Sequence, residues 1–113
     1  MIDIVEEITD RLQGKAPKGA KRSPEWREVR GLFIIENPTC FICESTSKLT
    51  VHHLIPFHLA PDLELDPDNF MTLCQNKKYG INCHLLVGHL GNFRKINVNC
   101  IEDARIWHEK IKG

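Results

Sequence analysis

No run of about 18 consecutive apolar residues occurs in the chain, so a membrane-spanning helix is not expected. The N-terminus also lacks a basic start followed by an apolar stretch of signal-peptide length. Export is therefore not expected, and the predicted setting is the reducing cytoplasm. The cysteine count is odd, at five, which speaks against a disulfide framework. In a reducing compartment clustered cysteines serve better as zinc ligands. Neither sign of charge is in excess: 15 basic residues balance 15 acidic ones, which argues against a protein that coats nucleic acid non-specifically. No internal repeat, low-complexity tract or base-reading motif is found.

What is present fits one compact domain of 113 residues with short extensions. Stretches rich in Asn, Asp, Pro and Lys leave little for an apolar core, so a metal or covalent staple is expected. Ile2, Ile4, Val5, Ile8 and Leu12 recur at helical spacing and predict an amphipathic helix over 2–13, stopped by Gly14. Lys15, Lys18, Lys21 and Arg22 follow in a Gly- and Pro-bearing arm without acids, whereas Asp62, Glu64, Asp66 and Asp68 fall together later. Residues 1–22 are thus read as helix and basic arm, and residues 23–113 as the functional domain.

Ser23-Pro24-Glu25 has the composition of a helix start, and Asn37-Pro38 that of a stop. Residues 48–55 and 69–74 read as strands from their β-branched and apolar content. A further helix is expected from Cys83 or His84, limited by Gly88 and Gly91. A last one is expected over 101–111, with Ile101, Ala104, Trp107 or His108, and Ile111 on one face.

Cys40-x2-Cys43 has the spacing of half a structural zinc site, since close pairs on tight turns bring thiolates to tetrahedral positions. The second pair, Cys74 and Cys83, is separated by eight residues instead of the usual two to four. That works only if the spacer folds outward and leaves its ends together. Cys100 has no partner at useful spacing and is read as a buried thiol.

Five of the six histidines lie between positions 52 and 89. Because side chains alternate along a strand, His52 and His53 point to opposite faces and suit different tasks, one binding a metal and the other acting as a base. A neutral imidazole takes a proton from water near neutral pH, and a divalent cation offsets the charge that develops when a phosphodiester is cut.

Cys40-x2-Cys43, Val51-His52-His53-Leu54-Ile55-Pro56, Asn69 through Cys74, and Cys83-His84 together resemble the HNH endonuclease pattern. The likeness extends over roughly residues 23–112 and includes small phage-encoded members. It implies an α+β fold, a zinc-stapled ββα-metal (His-Me finger) core with flanking N- and C-terminal helices. It also implies that His53 is the general base, that Asn69 orients it through backbone hydrogen bonds, and that His52 and His84 hold one catalytic divalent ion. The cofactors implied are a structural Zn2+ on Cys40, Cys43, Cys74 and Cys83 and a catalytic Mg2+, Mn2+, Ni2+ or Zn2+. The products implied carry 5′ phosphate and 3′ hydroxyl ends.

Some members use a further histidine one helical turn on. His89 lies five residues beyond His84, about 140° round an ideal helix, so its role as a ligand turns on whether Gly88 breaks that helix. The expected partner is DNA, held through phosphates by Lys15, Lys18, Lys21, Arg22, Arg94 and Lys95. His58 is read as a loop-surface residue and His108 as structural. The competing reading is a non-catalytic zinc module that binds nucleic acid or protein. A third is a nuclease subunit of a phage packaging machine. A homodimer through the first helix stands beside packing of that helix on its own domain.

Overall fold

The computed structural model describes residues 6, 8, 21–75, 82–92 and 95–112. The expected helix over 2–13 lies outside them except for exposed Glu6 and buried Ile8, and Lys15, Lys18, Arg94 and the 76–81 spacer lie outside them entirely. Ile8 is 2% exposed and belongs to the main core cluster.

Helix α1 spans Trp26–Glu36. Ser23 acts slightly before the helix proper: its hydroxyl accepts the Glu25 N–H at 3.1 Å and its carbonyl accepts the Trp26 N–H at 3.2 Å. These bonds satisfy donors that a helix start leaves open. At the far end the backbone N–H and side-chain amide of Asn37 both donate to the Phe33 carbonyl, and Pro38 follows. The inward face of α1 is aromatic. Trp26 and Phe33 each meet Phe70 edge-on, at centroid distances of 5.3 and 5.2 Å.

Phe70 opens strand β2 (Phe70–Cys74), which pairs antiparallel with β1 (Leu49–His53) in a sheet of two strands. The register sets Leu49 opposite Cys74 at one end and His53 opposite Phe70 at the other. All of β2 is buried, whereas β1 buries Val51 and His52. A strand pair this small is marginal by itself. The core around it is correspondingly compact: Ile42, Leu54, Ile55, Ala60, Leu73 and Val87 pack with five buried cysteines.

The segment between the strands carries two 3-10 turns, Pro61–Leu63 and Pro67–Asn69, each begun by a proline. The second is capped by the Asp66 carboxylate, which accepts the Asp68 N–H at 3.0 Å. After Cys83 the chain forms a single π-helical turn over His84–Gly88. Leu90 and Gly91 then take left-handed backbone angles (φ 54° and 82°), and the Gly91 N–H bonds back to the Leu85 carbonyl at 2.9 Å. Asn97, 3% exposed, ties this turn to helix α2 (Cys100–Lys112): its amide donates to the Val87 carbonyl at 2.7 Å and the Asp103 carboxylate at 3.0 Å. Helix α2 buries Cys100 and Ala104. His108, and not Trp107, continues that face, with Nδ1 bonded to the Ile42 carbonyl at 3.0 Å. The result is a small α+β domain with an antiparallel strand pair, flanking helices and a four-cysteine cluster able to bind zinc.

Candidate metal centres and the cleft between them

The thiols of Cys40, Cys43, Cys74 and Cys83 lie within 4.8 Å of one another, all buried. Cys40 and Cys43 come from the tight turn before β1, where Glu44 adopts φ 62° and its N–H bonds to the Cys40 carbonyl at 3.0 Å. Cys74 ends β2 and Cys83 opens the π-turn, so the long spacer does bring its ends together. The Cys43 and Cys74 sulfurs are 3.5 Å apart. A hydrogen bond from Cys83 holds Cys40 down to about 5, while burial pushes Cys43 up to about 11. Cys83 is pushed up by its hydrogen bond to Cys40 and then by burial. Four thiolates this close together repel one another unless a cation compensates their charge. Tetrahedral zinc is the ion this donor set suits.

The second cluster is built from His52, His84 and His89, whose ligand atoms also fall within 4.8 Å. The π-turn is what joins the last two. Its wider i→i+5 winding carries residue 89 round to the face of residue 84, and the two Nε2 atoms stand 3.2 Å apart. The ideal-helix offset that left His89 open therefore does not apply. Gly88 sits against the rings: a Cβ there would lie 3.2 Å from His52 Cε1 and Nδ1 and 3.3 Å from His84 Cδ2.

The imidazoles are also oriented from behind. A carbonyl only accepts, so the 3.1 Å contact with the Lys95 carbonyl puts the His89 proton on Nδ1 and bares Nε2. Gln75 Nε2 donates to His84 Nδ1 at 3.0 Å, which fixes the tilt of that ring with its other nitrogen facing His89. Burial, and then the neighbouring imidazoles, push His52 well below its usual range; burial, and then His89, bring His84 down to about 4. Neutral, oriented imidazoles are what a metal needs, so the residues present fit a divalent ion.

His53 turns the other way from the same strand. Its ring stacks on Trp26 (4.4 Å, 37°) and meets Phe70 edge-on at 5.4 Å. Nε2 donates to the Glu64 carbonyl at 2.9 Å, leaving Nδ1 as the basic nitrogen. Burial lowers the His53 pKa and Arg22 adds to this, against the opposing pull of the Glu64 carbonyl and carboxylate.

Asn69, fully buried, holds the loop that supplies that carbonyl. Its Oδ1 accepts the Ile55 N–H at 2.8 Å, and its amide donates to the Ile55 and Leu63 carbonyls at 3.1 and 3.4 Å.

A cleft of about 520 Å3 takes in both histidine faces, with Arg22, Arg30, Trp26, Phe57, His58 and Lys95 on its walls. No carboxylate lines it among the described residues. Of the expected phosphate contacts, Arg22 and Lys95 are on these walls, whereas Lys21 is exposed elsewhere. A larger concavity of about 640 Å3 lies by Phe33, Phe41 and Ile101, but Glu36 and Asp68 line it and no histidine does. Sequence reasoning did not single out Trp26 as a wall of the site, nor Arg30, Gln75 and Glu64. Only Gln75 carried a positional hint, being next to Cys74.

The strand pair carries a four-cysteine cluster at one end and a three-histidine cluster at the other, two groups of side chains that could each hold a metal ion. Residues 40–88 match the family model described as HNH endonuclease, in agreement with the resemblance read from the sequence. That match suggests nuclease-type chemistry on nucleic acid. No curated protein and no solved structure matches the chain. No helix among the described residues is long and apolar enough to cross a membrane.

Proposed function

We propose that this domain hydrolyses DNA phosphodiester bonds as a metal-dependent endonuclease, with His53 as general base and His52, His84 and His89 holding one divalent ion. The observation that carries this reading is the convergence of one buried and two half-buried imidazoles within 4.8 Å beside a fourth whose Nε2 is tied to a carbonyl. His53 is kept neutral by burial and is therefore ready to take a proton from an attacking water on Nδ1. Asn69 keeps the Glu64 carbonyl in place, so that the tautomer and tilt of His53 are set before substrate arrives. Arg22, Arg30 and Lys95 give the cleft a cationic wall for the phosphate backbone. His52, His84 and His89 would hold the divalent ion, which when bound would offset the charge that grows on the phosphoryl group and the leaving 3′ oxygen.

A supercoiled-plasmid nicking assay with Mg2+, Mn2+ or Ni2+ tests the assignment. His53→Ala is expected to lower the rate at least about 100-fold while zinc content stays unchanged. Equal nicking by the parent and His53→Ala with every metal would remove His53 from the role of base. One bound zinc with no cleavage by the parent would instead support a non-catalytic zinc module.

A further inference from the structure

One carboxylate is buried next to the candidate base. The Glu64 side chain is 4% exposed, and the residue makes contacts in two directions. Its main-chain carbonyl holds His53, as described. Its carboxylate reaches the residues just before α1: Oε1 accepts the Ser23 N–H at 2.8 Å, across 41 positions of sequence, and Oε2 lies 3.6 Å from Arg22 Nη1. Oε2 is buried and has no hydrogen-bond partner. A carboxylate withdrawn from water in this way needs a cation at hand.

Arg22 is that cation, and it is seated from a second side as well. Its guanidinium lies 4.3 Å from the Phe57 ring centroid. Even so, the Arg22 side chain is 56% exposed, and it lines the cleft that contains His53. A guanidinium offers five N–H donors in a rigid fork, so one edge can face a carboxylate while the other faces an anion.

We propose that Arg22 grips a substrate phosphate beside the reacting bond and that Glu64 is the positioning residue that presents it. The inference rests on the nuclease reading and deepens it. One residue, through its carbonyl and its carboxylate, fixes the base and the phosphate-binding arginine in a common frame. The root of the basic arm thereby becomes part of the site.

The test is binding of a fluorescein-labelled DNA duplex to the zinc-loaded chain without added Mg2+, Mn2+ or Ni2+, followed from about 50 to about 200 mM salt. Steady-state nicking is then measured with Mn2+. Arg22→Gln is expected to reduce the slope of log affinity against log salt by about 0.9, the loss of one phosphate contact, and Arg22→Lys to restore it. Glu64→Gln is expected to raise KM, and to add nothing further to KM in an Arg22→Gln background. An unchanged slope in Arg22→Gln overturns the phosphate contact, whether or not the Glu64 variant folds. Additive effects of the two substitutions on KM overturn the positioning role. A parent chain that neither binds duplex nor nicks plasmid overturns the nuclease reading, and this inference with it.

Discussion

Replacing Gly88 by alanine sets two opposing effects against each other. In a helical turn the change ordinarily stabilises by up to about 1 kcal/mol, because glycine loses more backbone freedom on folding. Here the new methyl would meet His52 Cε1 and Nδ1 at 3.2 Å and His84 Cδ2 at 3.3 Å. Carbon contacts are comfortable at about 3.5–4.0 Å, so something must yield by a few tenths of an ångström. His52 is 4% exposed and has little room to retreat, and overpacking of this kind costs about 1–3 kcal/mol. Overpacking matches or exceeds the helical gain, leaving a net loss of about 0–2 kcal/mol. The larger consequence falls on the site, since the methyl spreads two of the three imidazoles that must converge. Disturbing the groups that orient metal ligands costs about 10–100-fold in affinity. Native mass spectrometry should show one zinc retained, while calorimetry with Mn2+ or Ni2+ shows the second ion weakened by that factor. If Gly88→Ala binds the second ion and nicks as the parent does, the reasoning about this contact is wrong.

Asn69→Asp keeps the acceptor for the Ile55 N–H but turns an oxygen toward the Ile55 and Leu63 carbonyls, in a fully buried place. Urea unfolding should report a loss of about 2–5 kcal/mol, and a nicking defect larger than the fraction unfolded explains. Thr72→Val removes a buried hydroxyl that has no hydrogen-bond partner, so it should stabilise by about 1 kcal/mol; a clear loss would mean the hydroxyl has work to do. Acid should weaken the chain that carries zinc alone. His84 titrates near 4 in the fold against an ordinary 6.5, so the unfolded chain binds more protons between those values. Stability present above pH 6.5 is then lost as pH falls toward about 4, and His52, depressed by burial in the same direction, adds to the loss. Chemical melts at stepped pH check this, and a flat profile would refute it.

Much of this was legible in the residues because it is local. The β-branched content of Thr50-Val51 and the apolar Phe70-Met71 mark strands of a few residues, and Cys40-x2-Cys43 fixes a turn by its spacing alone. Strand alternation separates the tasks of His52 and His53 before any coordinates are known, and the fold does set them on different neighbours, His84 and His89 for one and Trp26 for the other. What stayed hidden depends on winding or on long-range contact. A five-residue interval from His84 to His89 is a misfit on an α-helix and a match on a π-turn, and nothing in HLLVG announces which winding is taken. Glu64 sits in a run of acids that reads as solvated surface; its burial is created by Ser23 and Arg22, far away in sequence. The choice of His108 over Trp107 for the inner face of α2 likewise depends on a carbonyl, that of Ile42, in another part of the chain.

Cys83 and His84 are consecutive residues, yet one belongs to the sulfur cluster and the other to the imidazole cluster. A single peptide bond therefore links the staple to the site. Whatever strips or oxidises the thiolates releases the start of the π-turn, and with it His84 and the geometry that brings His89 alongside. On the nuclease reading, zinc loading then works as an arming step. A zinc-starved chain would carry every residue of the candidate site without the geometry that brings them together.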